Sequence, residues 1–151
     1  MVSQESRVER MSETKEAVKG IATASAKRKE ARAFAVLRSG RGRLYINGFP
    51  IEVYAPNEFV RMKILEPLWL AMDYARNVDI KVRVKGGGFM GQADAIRMAI
   101  GRALVKWTGS EELERTVREY DRTILVGDPR RTEPKKFGGR SARARFQKSY
   151  R

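Results

Sequence analysis

Between Ala31 and Arg38, Ala31, Ala33, Ala35 and Leu37 alternate with Arg32, Phe34, Val36 and Arg38. A period of two predicts a strand. Gly40 and Gly42 punctuate a turn, and "RLYI" resumes a strand. Asn47-Gly48 is a hairpin signal, because a type I′ turn needs positive φ at both central residues. With "IEVY" as the returning strand, the run predicts an antiparallel meander. The period then lengthens. Phe59, Met62, Ile64 and Leu65 suit one helix face. Pro67 cannot sit comfortably inside that helix but suits the first turn of another, so two short helices or one sharply broken helix are expected. Val78, Ile80, Val82 and Val84 then face one way, with Asp79, Lys81, Arg83 and Lys85 the other. This is the clearest strand in the chain. In "QADAIRMAIGRALVKW", Ile96, Ala99, Ile100, Ala103, Leu104 and Trp107 form one apolar helical stripe. Gly109 supplies its stop. Ser110 caps a last helix whose first turn carries Glu111, Glu112 and Glu114 against the dipole. Leu113, Val117 and Tyr120 would pack it down.

Periodicity fades at both ends. Residues 1–23 hold too few apolar positions (Val8, Met11 and Val18 among them) to build a core, and read as a flexible extension. Residues 24–128 form one α+β domain. Residues 129–151 form an extended basic tail. Fully extended, the tail spans roughly 75–80 Å at about 3.3–3.6 Å per residue.

Charge sharpens this picture. The 151 residues carry 32 Lys and Arg against 18 Asp and Glu, a formal net charge of +14. Residues 1–20 balance, whereas residues 129–151 hold nine basic residues and only Glu133. A polyanionic partner is implied, nucleic acid before an anionic membrane. Neither Cys nor His occurs, which removes disulfides, thiolate metal sites and every Cys-His or Ser-His pair. No run of eighteen apolar residues spans a membrane. Glu5, Glu9, Glu13 and Glu16 make the N-terminus unlike a transit peptide. A soluble, intracellular protein is expected, with no cofactor and no metal.

"KGGGFMGQ" places Gly86-x-Gly88-x-x-Gly91 between a strand and a helix, the context of a dinucleotide fingerprint. A dinucleotide fold needs a further parallel strand bearing an acid, and here Glu111 and Glu112 open another helix instead. A nucleotide-binding enzyme built on this loop is therefore the rival reading. A plain tight turn is a second. The preferred reading is a loop whose bare backbone lets a phosphate reach the helix N-terminus, with Lys85 and Arg97 nearby. Lys27, Arg28 and Lys29, at an expected strand start, suit phosphate contact as well as they suit a nuclear address.

"GGGFMGQADAIRMAIGRAL" and "YDRTILVGDPRRTEPKKFGGRSARARFQKSYR", with "KRK", "LYINGFPIEV" and "RMKILEPL" before them in order, resemble the universal small-subunit ribosomal protein nine family of the archaeal and eukaryotic type. The resemblance runs from Ala24 to Arg151. It implies an α+β fold like the second domain of ribosomal protein five, with a mostly antiparallel sheet packed by helices. It implies a non-enzymatic, cytoplasmic place in the small-subunit head, against ribosomal RNA and neighbouring head proteins. The RNA-contact set expected on this basis comprises Lys27, Arg28, Lys29, Lys85, Gly86, Gly87, Gly88, Gly91, Gln92 and Arg97 in the domain. In the tail it comprises Arg130, Arg131, Lys135, Lys136, Arg140, Arg143, Arg145, Gln147 and Lys148. The family's tail threads toward peptidyl-site transfer RNA, which brings Tyr150 and Arg151 closest to it. Two features depart from the family pattern. Residues 1–23 extend beyond it, and Arg140 stands where related chains often have Pro.

Overall fold

The computed structural model describes residues 20–149. Residues 1–19, most of the expected extension, and the terminal pair Tyr150 and Arg151 lie outside the described residues. Five strands form one sheet: β1 (Ile21–Arg28), β2 (Ala31–Ser39), β3 (Leu44–Ile46), β4 (Phe49–Pro50) and β5 (Val78–Lys85), in the order β1-β2-β5-β3-β4. All pairs are antiparallel except β3 with β5. Six helices follow the same chain: α1 (Ile51–Tyr54), α2 (Glu58–Leu70), α3 (Met72–Ala75), α4 (Phe89–Thr108), α5 (Glu111–Tyr120) and α6 (Arg122–Val126). The fold is a single α+β domain, as expected.

One sheet face carries only small or branched apolar side chains: Ala22, Ala24 and Ala26 on β1, Ala33, Ala35 and Leu37 on β2, and Val78, Ile80, Val82 and Val84 on β5. The alanines leave room for α4 to lie close on β1 and β2. α4 is the central helix, with Ala93, Ile96, Ala99, Ile100, Ala103 and Leu104 all buried. α2 and α6 pack on its far side through Ile64, Pro67 and Ile124. Burying each such Ile or Leu contributes about 1.5–3 kcal/mol relative to exposure. Gly101 is the point of closest approach. A Cβ there would strike Ile124 Cγ2 and stand 3.6 Å from Pro67 Cβ.

Several expectations held. Asn47 and Gly48 take φ of 52° and 89° and join β3 to β4 as a two-residue hairpin. Gly109 ends α4 in the left-handed region, and Ser110 Oγ accepts from Leu113 N at 3.4 Å.

Others are corrected. The first strand begins at Ile21, inside the stretch read as extension, because Ala22, Ala24 and Ala26 carry their alternation on small side chains. The meander fails, since β5 inserts between β2 and β3. Eight residues of β5 pair with Arg32–Ser39, which three-residue β3 cannot match. "IEVY" is a helical turn after Pro50, with Ile51 alone buried. α2 buries Val60, Ile64 and Pro67 and exposes Phe59 and Met62, one position off the expected face. Pro67 does not break α2. It costs the Lys63 carbonyl its helical donor, but its ring is fully buried toward α4. Tyr120 is exposed, leaving Leu113 and Val117 to anchor α5.

Candidate nucleic-acid interface

Gly86 and Gly87 follow β5 with φ of 76° and 68°, where other residues are strained. They also lie against the β1–β2 turn. A Cβ on Gly86 would stand 2.7 Å from Glu30 O, and one on Gly87 would stand 2.9 Å from Ala31 N and 3.0 Å from Ala31 Cβ. Close approach of the protein's own backbone therefore accounts for these two glycines. Gly88 differs. It is the N-cap of α4 with extended backbone, no side-chain cap and open space where a Cβ would go. Gly91 lies within the first helical turn rather than in the loop. Gln92 holds the loop in shape, donating from Nε2 to Gly86 O at 3.1 Å and accepting from Tyr54 Oη at 2.6 Å. Burial pushes the Tyr54 phenol above its usual value, so it stays a donor. No acidic residue occupies the first turn of α4. Its N-terminus has exposed Lys29 and Lys85 nearby, with Glu30 and Asp94 on the rim of the same cleft. No strand follows α4 among the described residues, so the architecture of a dinucleotide site is missing.

Arg28 and Arg97 have other work. Both side chains are nearly buried, at 13% and 12% exposure. Arg28 meets Asp128 at 3.2 Å and Asp94 at 3.8 Å, and donates to Arg130 O at 3.0 Å. Arg97 pairs with Glu66 and, at 2.8 Å, with Asp121. Lys63 completes the network on Asp94 at 2.7 Å. These guanidinium groups tie β1, α2, α4 and the chain after α6 together. The pattern of a basic run could not distinguish that duty from phosphate contact. Asp128 also accepts from the Arg130 side chain, at 3.0 Å from Nε and 2.6 Å from Nη2, and from Arg130 N at 2.9 Å. These bonds, then the charges of Arg130 and Arg28, hold its carboxyl well below the usual range.

Beyond Asp128 the described chain has neither helix nor strand. It runs past the glycine loop, where Thr132 joins Gly87, Gly88 and Lys29 in lining a shallow cleft. Arg131 approaches Glu30 at 4.0 Å. Arg143 makes a two-pronged pair with Glu133, at 3.0 and 2.7 Å. A local loop then closes. Phe146 N donates to Gly138 O at 3.2 Å, and Arg145 Nη1 donates to Phe137 O at 2.8 Å. Gly139 is required there, since a Cβ would overlap the Ala144 carbonyl. The tail of this structure is therefore partly looped rather than fully extended. Lys135, Lys136, Arg140, Gln147 and Lys148 are exposed along it.

Sequence reading left out Arg32, Phe34, Arg38, Lys81 and Arg83, which cover the sheet face opposite the helices. The signal was present. The same alternation that set the valines inward set these cations outward. Among the described residues no group of acidic side chains could hold a metal ion, and no helix is long and apolar enough to cross a membrane.

Residues 26–151 match the family model described as ribosomal protein S9/S16. The chain is similar to proteins named small ribosomal subunit protein uS9. That of Aeropyrum pernix is 53% identical over 151 residues, covering 89% of this chain and 99% of the relative. That of Saccharolobus solfataricus is 56% identical over 128 residues, covering 84% and 93%. That of Thermoplasma acidophilum is 55% identical over 125 residues, covering 83% and 96%.

Proposed function

The chain belongs to the ribosomal protein S9/S16 family, and from that premise we propose that it is a structural constituent of the small ribosomal subunit, anchored on ribosomal RNA of the subunit head. The family is structural, so the rival reading of a nucleotide-binding enzyme falls away. The protein works in the cytoplasm, within the particle, beside other head proteins. Its C-terminal tail extends to transfer RNA in the peptidyl site.

The observation that supports this best is the tail's construction. Nine basic residues follow Asp128 with a single acid among them. The described part is exposed and has no helix or strand of its own. Such a segment gains its order from a polyanion, because it cannot bury enough apolar surface alone. Its arginines neutralise phosphates and stack on bases. The hydrogen bonds that loop residues 137–146 are solvent-exposed, and RNA contacts can replace them.

Removing Tyr150 and Arg151 alone tests the finer part. Nearly all tail cations remain, so incorporation into subunits stays close to normal. Affinity of transfer RNA for the peptidyl site falls, by at most about 1.5–3 kcal/mol for one charge-assisted hydrogen bond. Unchanged transfer RNA binding to purified subunits that contain the truncated protein would reduce the tail to a tether.

A further inference from the structure

The sheet has one face under α4 and one face open. The strand register sets the open face in rows. Lys27, Arg32 and Lys85 form the first row, and Ser25, Phe34 and Arg83 the second. Thr23, Val36, Lys81 and Tyr45 form the third. Arg38 lies opposite Asp79 in the fourth. Rows recur every two residues, roughly 6.7 Å apart. Among the described residues none of Lys27, Arg32, Arg38, Lys81, Arg83 and Lys85 takes part in an ion pair. The one acid is occupied elsewhere. Asp79 Oδ1 accepts from the backbone N–H groups of Arg41 at 2.8 Å and Arg43 at 3.0 Å.

This arrangement works against the isolated domain. Like charges directly opposite on neighbouring strands are destabilising, and Arg32 faces a cation on both sides. An ordinary solvated sheet would mix signs. Phe34 adds a second anomaly, because it is 44% exposed in the middle of the cationic field. An aromatic ring on an open sheet, flanked by cations, is the chemistry that stacks an unpaired base and holds its phosphates. Shallow grooves flank it, one reaching Tyr45 and Arg83, the other Phe34, Arg38 and Lys81.

We propose that the open sheet face is a second RNA-binding surface, independent of the tail, on which an unpaired nucleotide stacks on Phe34 while adjoining phosphates sit on the flanking cations. The inference rests on the ribosomal RNA reading above, and goes beyond it by placing a contact on the open sheet face, apart from the glycine loop and the tail.

The test uses the full chain with the small-subunit ribosomal RNA as probe, and two variants. One carries Arg32→Gln, Lys81→Gln, Arg83→Gln and Lys85→Gln together. The other carries Phe34→Leu. At about −0.7 per lost contact, the four-site variant makes the log–log salt slope shallower by about 3, while the tail keeps its own share of roughly −4 from about six contacts. Phe34→Leu weakens binding to a short single-stranded RNA about 5- to 100-fold and leaves binding to an RNA duplex unchanged. Thermal unfolding provides a control in the opposite direction, since relieving like-charge repulsion raises the melting temperature of the four-site variant. An unchanged slope in that variant, with wild-type binding intact, overturns the proposal and assigns RNA binding to the tail. Equal affinity of Phe34→Leu for single strands overturns the stacking contact. Loss of binding to phosphatidylserine vesicles without loss on RNA would make the face a membrane surface instead. Failure of the wild-type chain to bind the RNA at all would count against the ribosomal reading, not against this face alone.

Discussion

Arg28 Nη2 and Asp128 Oδ2 meet at 3.2 Å, joining the end of the first strand to the last residue before the tail. The same guanidinium donates to Arg130 O, so the chain's direction of exit is set by the domain. A tail that leaves at a defined point searches a smaller volume for a partner than one on a loose hinge. Replacing Arg28 with Ala should therefore free residues 128–131 while the sheet and α4 remain folded. Limited trypsin digestion tests this. Cleavage after Arg130 and Arg131 should speed up several-fold, with the domain fragment persisting. Unchanged cleavage would show that Asp128 and Arg130 hold the root without Arg28.

Acid should act on the same place. Hydrogen bonds from Arg130 lower the Asp128 carboxyl, and backbone N–H groups of Arg43 and Arg41 lower that of Asp79. A carboxyl whose folded value lies below its unfolded value contributes stability above the unfolded value, near 3.8. That contribution is lost as pH falls toward the folded value. The melting temperature should be level from neutral pH down to about pH 5 and fall below about pH 4. Asp128→Asn should flatten part of that fall. An acid limb identical in the variant would exclude Asp128 as a source.

The glycine loop separates folding from binding. Gly87→Val places a branched side chain at positive φ against Ala31, and should cost about 1–3 kcal/mol of stability. Gly88→Val has ordinary backbone geometry and open space. It should leave denaturant unfolding nearly unchanged yet weaken RNA binding by screening the N-terminus of α4. Normal RNA affinity in a folded Gly88→Val protein would leave the whole loop a turn.

Packing around α4 gives a prediction independent of RNA. Gly101→Ala forces a methyl group into Ile124, and overpacking of this kind costs about 1–3 kcal/mol. Pairing it with Ile124→Leu, which removes the Cγ2 methyl that the new side chain strikes, should recover part of the loss in urea unfolding. No loss from Gly101→Ala alone would mean that α6 shifts freely.

The long elements were legible because their periods are long. Val78–Lys85 repeats its alternation four times, and α4 keeps one stripe for about three turns. Asn47-Gly48 and Ser110 declare themselves locally. What failed was either short or non-local. Three residues of β3 say nothing about whether β2 or β5 lies beside them. Ile51–Tyr54 alternates as well as it helixes. Arg28 reads as part of a basic run at a strand start, and Arg97 and Gln92 as polar residues beside a glycine loop, but their partners Asp128, Asp121 and Tyr54 come from distant segments. Only the fold turns a candidate phosphate ligand into a clamp. The open sheet face was missed for a different reason. A basic run shows as adjacent charges, whereas a sheet face distributes its charge at every second residue over three strands.

The central claim is that this chain is built into the small subunit through RNA, with the tail supplying much of the hold. Sedimentation of a lysate from cells producing a tagged full chain and a tagged chain ending at Asp128 tests it most directly. The full chain should travel with the small-subunit ribosomal RNA and remain there as salt rises. The shortened chain should fold but enter particles poorly and leave them at lower salt. A full chain that sediments as free protein, or a shortened chain held as firmly as the full one, would contradict the account.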